Sequence, residues 1–149
     1  MSWISVVKLD VNTGEAKPYW ISNAREAFMN SLDSQTRINE KDIDMSEFKV
    51  GKKNYAFLYN KKDQKNKKKG AAAISRNGKV EIRGNVIIAK VDPKTGRALS
   101  LNSSDIDNIL NHKVRFISEK SLTCFDSIQL DHVDTKLNSL YRKYVGRKK

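Results

Sequence analysis

The residues most able to do chemistry in this chain are cations. Lys61, Lys62, Lys65, Lys67, Lys68 and Lys69 crowd one short stretch, and Arg142, Lys143, Arg147, Lys148 and Lys149 crowd the end of the chain. An ammonium is a compact point charge, so lysine clusters suit phosphate or carboxylate partners and carry no base-reading geometry. Tyr55, Tyr59, Tyr141 and Tyr144 lie near the clusters in sequence and offer rings for stacking on bases. Core packing is the commoner role for aromatics at strand and helix spacing, and it is the one we assign to Phe57 and Tyr141. The net charge of +12 over 149 residues exceeds what solubility requires. It favours a polyanionic partner and is equally compatible with a solvated lysine-rich surface.

The other reactive residue types form no catalytic constellation. His112 and His132 each sit beside helix-boundary signals, which favours capping or surface positions. Cys124 lies between Thr123 and Phe125 and reads as a small buried apolar residue. Asp105, Asp107, Asp131 and Asp134 fall at helix starts, where capping and the helix dipole account for them. Glycine is scarce, with 7 in the chain, and no phosphate-cradling glycine motif is present. No enzymatic activity and no cofactor or metal is expected. A lone cysteine permits no intramolecular disulfide and no cysteine zinc site, which points to an intracellular setting (host cytoplasm or nucleus) or a virion interior. No apolar run approaches membrane-spanning length, and the N-terminus lacks a signal-peptide pattern.

These cations need a scaffold, and the chain supplies the pattern for one. Trp3 to Val11 alternates as a strand, Asn12-Thr13-Gly14 turns it, and Ala16 to Ile21 returns as an edge strand marked by Pro18. Asn23 and Glu26 form a capping box for a helix that buries Phe28 and Leu32. Residues 33 to 54 are polar and read as irregular with a short helical turn. Tyr55 to Tyr59 is a strand with Tyr55, Phe57 and Tyr59 on one face. The lysine run that follows repels itself and resists folding. Ala71 to Arg83 is a hairpin around Asn77-Gly78. Gly84 marks a bend before Val86 to Val91, which is apolar on both faces and suits a central strand. Asp92 to Arg97 turns the chain, and Ala98 to Leu101 returns. Ser104 and Asp107 cap a helix whose buried stripe is Ile106, Ile109 and Leu110. Val114 to Ile117 is a strand, Leu122 to Leu130 favours strand over helix by a small margin, and a last helix starts near Asp131 or Asp134.

One pattern occurs twice. Lys8-Leu-Asp-Val-Asn-Thr-Gly-Glu-Ala16 aligns without a gap on Lys90-Val-Asp-Pro-Lys-Thr-Gly-Arg-Ala98. Two strand–turn–strand–helix units therefore recur. Duplication and convergent use of turn residues explain the match equally well. The expected architecture is a single α+β domain over residues 1–149. An antiparallel or mixed sheet is covered by two or three short helices, with a basic loop at 60–70 and a basic tail at 142–149.

The order of strand, short helix, aromatic strand, a Lys/Asn-containing connection ending in alanines, Arg83-Gly84-Asn85-Val86-Ile-Ile, and Ser100-Leu101 before a helix resembles a family of small uncharacterised proteins. That family is carried by tailed phages, plasmids and large DNA viruses. The resemblance spans roughly residues 5 to 110. Arg83 stands where an aromatic is usual, and the basic insertion is longer. The resemblance implies a viral or mobile-element origin and carries over no functional residue. Two roles follow as expectations. One is a virus-type accessory protein that binds nucleic-acid backbone through its lysine-rich segments. The other is a minor structural protein of a capsid whose basic segments dock on acidic protein surfaces or capsid proteins. Inhibition of a host defence is compatible with either.

Overall fold

Period-two alternation builds most of this molecule. The computed structural model describes residues 3–11, 13–22, 25–32, 40–66, 69–117 and 124–131. In chain order the elements are β1 (Trp3–Asp10), β2 (Glu15–Ser22), α1 (Arg25–Leu32), β3 (Ile43–Val50), β4 (Lys53–Asn60), β5 (Ala71–Ser75), β6 (Val80–Arg83), β7 (Val86–Val91), β8 (Ala98–Leu99), α2 (Ser103–Asn111), β9 (Lys113–Ile117) and β10 (Cys124–Leu130). They form two sheets. The larger runs β2-β1-β7-β4-β3 with β8 added on β7, and the smaller runs β6-β5-β10-β9. All pairings are antiparallel except β5 with β10, where Ala73 faces Ile128 in parallel register. The class is α+β, with more sheet and less helix than the sequence suggested.

The larger sheet packs a core against each of its faces. Ile4, Val6, Ile21, Ile87 and Ala89 pack with Phe28 and Leu32 of α1 on one side. Val7, Leu9, Phe57, Val86 and Ile88 meet Ala73, Ile82, Ile128 and Leu130 of the smaller sheet and Ile109 of α2 on the other. Each fully buried side chain of this size contributes about 1.5–3 kcal/mol. The layers are therefore α1, the larger sheet, and then the smaller sheet with α2. β7 sits in the middle of the larger sheet, as its two apolar faces required.

The repeated pattern has a shared physical form. Gly14 N–H donates to the Asp10 carbonyl at 2.8 Å and Gly96 N–H to the Asp92 carbonyl at 2.7 Å, with φ of 75° and 71° at the two glycines. Both turns need the left-handed conformation that glycine adopts without steric cost. The units then diverge. α1 covers one face of the sheet and α2 the other.

β1 and β7 pair only from Val7↔Ile88 to Leu9↔Val86. Beyond that they part, and the chain after the second turn enters the gap. Lys90 pairs with Leu99, Leu101 N–H donates to the Ser5 carbonyl, and Ser5 N–H donates to Ser100 Oγ, each at 2.9 Å. Buried Asn85 fastens the other end. Its Oδ1 accepts from Val11 N–H at 2.8 Å, and its Nδ2 donates to the Leu32 carbonyl at 2.9 Å.

The structure corrects four expectations. Residues 43–50 are strand β3 and not irregular chain. Ser46 is buried on this strand because its hydroxyl lies 2.8 Å from Tyr59 Oη, so a polar residue occupies an inward position. The cap of α2 is Asn102 with Asp105, two residues before the expected pair. Leu110 is only half-buried, and Ile109 is the fully buried residue of that helix. Lys61–Lys65 of the lysine run form a 3-10 helix, as described below. The Asn77-Gly78 hairpin forms as expected, with Ile74 opposite Val80. Asn23, His132 and the expected last helix lie outside the described residues.

Candidate nucleic-acid interface

The lysine run is built onto the scaffold from its first residue. Asn60 ends β4, and its side-chain Oδ1 accepts from Lys62 N–H at 3.0 Å, capping a 3-10 helix at Lys61–Lys65. Gln64 then docks that turn on the edge of the smaller sheet. Its Nε2 donates to the Asn60 carbonyl at 2.9 Å and to the Arg83 carbonyl at 2.8 Å, while its Oε1 accepts from Arg83 N–H at 2.9 Å. One amide side chain thus pairs with Arg83 as a neighbouring strand would. Lys69 N–H donates to the Asn66 carbonyl at 3.0 Å, and Arg83 Nη1 donates to the Lys69 carbonyl at 3.2 Å. Gly84 has φ of 85°, and a Cβ there would strike the Asp63 carboxylate. Six lysines face one aspartate in this stretch, yet these latches outweigh the repulsion that argued against folding.

The result is a fixed presentation of charge. Lys61, Lys62 and Lys65 are exposed, and Lys69 is half-buried. Lys62 Nζ stands 3.3 Å from Asp42 Oδ2 while its side chain stays 69% exposed. Lys67, Lys68, Arg142, Lys143, Arg147, Lys148 and Lys149 lie outside the described residues, as do Tyr141 and Tyr144.

Tyr55 and Tyr59 offer no stacking surface. They are 1% and 7% exposed and belong to the core. Their hydroxyls bond to carboxylates instead, half-buried Asp44 and fully buried Asp105. Tyr59 Oη donates to Asp44 Oδ2 at 3.2 Å, and Tyr55 Oη donates to Asp105 Oδ1 at 3.0 Å.

Asp105 is the pivot of a second charged group, at the start of α2. It is fully buried. Lys90 Nζ lies 2.5 Å from one oxygen and Lys53 Nζ 3.7 Å from the other. Asn102 N–H donates to Asp105 Oδ2 at 3.2 Å, and Asp105 N–H donates to Asn102 Oδ1 at 2.8 Å. Burial alone would push the Asp105 carboxyl up. The Lys90 ammonium, the Asn102 N–H and the Tyr55 hydroxyl together hold it below the usual range. It is therefore an ionised acceptor at neutral pH that caps α2 and anchors two lysine heads. Burial pushes the Tyr55 hydroxyl up to about 12, with Asn108 opposing and Asp105 adding to the shift.

A third group closes the β3–β4 turn. Gly51 and Lys52 both have positive φ, 56° and 73°, as a two-residue hairpin of the primed type needs. Lys52 N–H donates to Asp131 Oδ2 at 2.8 Å, and Arg76 Nη2 donates to Asp131 Oδ1 at 3.2 Å. Burial raises the Asp131 carboxyl, but the Lys52 N–H, Arg76 and the Gly51 N–H outweigh it and leave it lowered. His112 ends α2, with Nδ1 2.7 Å from the Asn108 carbonyl and Nε2 3.9 Å from Asp131 Oδ1.

Sequence reasoning placed Asp105 and Asp131 at helix starts but missed that Asp105 anchors lysines. The available signal was the Asn102-x-x-Asp105 spacing, which competes with Ser104-x-x-Asp107 over the same six residues. Among the described residues, no helix is long and apolar enough to cross a membrane. Among them also, no cluster of three or more His, Cys, Asp or Glu is arranged to hold a metal ion. Comparison with protein-family models, curated proteins and solved structures gave no match.

Proposed function

We propose that this protein is a non-enzymatic binder of polyanions, of the kind made by viruses or mobile elements, that grips nucleic-acid backbone without reading sequence. The observation that carries this reading is the ordered basic turn, where Lys61, Lys62 and Lys65 are exposed on a helix latched to β6 by Gln64. A solvated, functionless lysine run gains nothing from being held in place. A phosphate-binding run gains, because cations fixed before binding lose less side-chain and loop entropy on contact. The net charge of +12 adds long-range attraction for any polyanion. Lysine supplies charge without bidentate geometry, which suits backbone contact and not base readout.

The test is fluorescence anisotropy with labelled DNA and RNA at low salt, comparing wild type with Lys61→Ser/Lys62→Ser/Lys65→Ser. The reading expects retention of both nucleic acids by wild type, little dependence on sequence, and a loss of at least tenfold in the variant. Absence of retention by wild type at low salt overturns it.

A further inference from the structure

The chain has only two tryptophans, Trp3 and Trp20, and both are displayed to solvent. They are 67% and 63% exposed. Indoles are usually spent on cores and interfaces, so two exposed on one surface need a reason. The register puts them together. Trp3 faces Ser22 and Ser5 faces Trp20 across the β1–β2 ladder. The two indoles are therefore diagonal neighbours on one face of the sheet, with about 7–8 Å between their backbones.

This is the face that carries Val7 and Leu9 into the core. Among the described residues, the smaller sheet and α2 cover it further along the strands and leave Trp3 and Trp20 exposed at this end. The inserted strand β8 continues the surface. Leu99 pairs with Lys90 and is 46% exposed. Trp20, Trp3 and Leu99 thus pave the open end of the larger sheet, across adjacent strands.

Cations border the pavement. Lys90 and Lys53 project from β7 and β4 with their heads held by Asp105 and their side chains 36% and 50% exposed. Lys94 and Arg97 are exposed on the turn that leads into β8. The carboxylate of that turn, Asp92, accepts from Lys94 N–H at 2.9 Å and so serves the turn itself. β2 is the outer strand of the sheet among the described residues and carries Lys17 and Pro18, which disfavour addition of a strand from a second copy. Flat indoles beside lysines match a ligand with exposed π faces and a phosphate backbone. Only unpaired bases expose their faces; duplex bases hide them.

We propose that the open end of the larger sheet is a stacking platform for single-stranded nucleic acid. Trp3 and Trp20 receive bases, and Lys53, Lys90, Lys94 and Arg97 receive the backbone. This rests on the polyanion reading above and adds to it a class of strand and a second surface, separate from the Lys61–Lys65 turn.

Because both tryptophans belong to the platform, wild-type emission reports on it directly. The experiment titrates the protein at low salt with unlabelled oligo-dT, oligo-dA and a duplex of the same length. Tryptophan emission is followed beside anisotropy of labelled strands. Single strands should quench the emission and the duplex should not. Trp3→Ala and Trp20→Ala should each weaken single-strand binding by about 5- to 100-fold while duplex binding holds. Single-strand binding by anisotropy with unchanged emission, or with unchanged affinity in both variants, overturns the platform and leaves the polyanion reading standing. No binding of either form at low salt overturns both.

Discussion

Gln64 pairs with the backbone of Arg83 through both ends of its amide, at 2.8 Å and 2.9 Å. That contact converts a self-repelling lysine run into a surface of defined shape. It also covers part of the β6 edge, which would otherwise offer unpaired backbone groups.

Gln64→Ala should therefore lower stability by about 1–2 kcal/mol, since three hydrogen bonds to half-buried backbone are lost. Hydrogen exchange at the Arg83 amide should accelerate, while exchange in β7 should change only with global stability. Urea melts with exchange mass spectrometry check this. Unchanged exchange at Arg83 would show that the latch is not holding the turn.

Ile109→Ala should cost about 2–5 kcal/mol, as a fully buried residue of α2 leaves a cavity between the layers. Leu110→Ala should cost clearly less, because Leu110 is half-buried at the margin. Thermal melts of the two variants rank them. The reverse ranking would contradict the placement of α2.

Gly51→Ala should destabilise by about 1–3 kcal/mol, because a side chain there is strained by the backbone conformation. The glycine has φ of 56°, and its Cβ would strike Asn108 Oδ1 and lie 2.7 Å from His112 Cε1. Gly78→Ala meets open space in its hairpin and should cost only the conformational part. Equal losses at both sites would mean that the turn is not packed on α2.

Acid should weaken the fold through Asp105 and Asp131. Both carboxyls titrate below their ordinary value of 3.8 in the folded chain. The unfolded chain therefore binds protons more readily, so this stability is full above the ordinary value and is lost as pH falls through the folded one. The urea midpoint should be flat from neutral pH to about 5 and fall below about pH 4. Asp105→Asn should start lower at neutral pH, with Lys90 and Lys53 deprived of their anion, and should show a shallower acid fall. An acid limb as steep in the variant as in wild type would contradict the role given to Asp105.

Much of this architecture was legible where the chain alternates or turns locally. The β1–β2 hairpin, the Asn77-Gly78 hairpin, Gly84 and the central strand β7 follow from patterns within ten residues. What was hidden depends on distant partners. β3 looked irregular because Asp44 and Ser46 interrupt its apolar alternation, and the Tyr59 hydroxyl, a distant partner, bonds to both. The parallel pairing of β5 with β10 joins segments more than fifty residues apart, which no local period records. The lysine run looked unfoldable because Gln64 and Arg83 are separated by 19 positions in sequence. The exposure of Trp3 and Trp20 was not legible either, since nothing local shows where the covering layers stop.

The salt dependence of nucleic-acid affinity tests the polyanion reading most directly. Each neutralised phosphate releases condensed counterions, so log affinity falls with log salt in proportion to the contacts made. With about six to eight phosphates engaged on a duplex, the slope should lie near −5 to −7. Lys61→Ser/Lys62→Ser/Lys65→Ser should make it shallower by about 2 to 3. A wild-type slope near −1, or a slope that the three substitutions leave unchanged, would contradict the account.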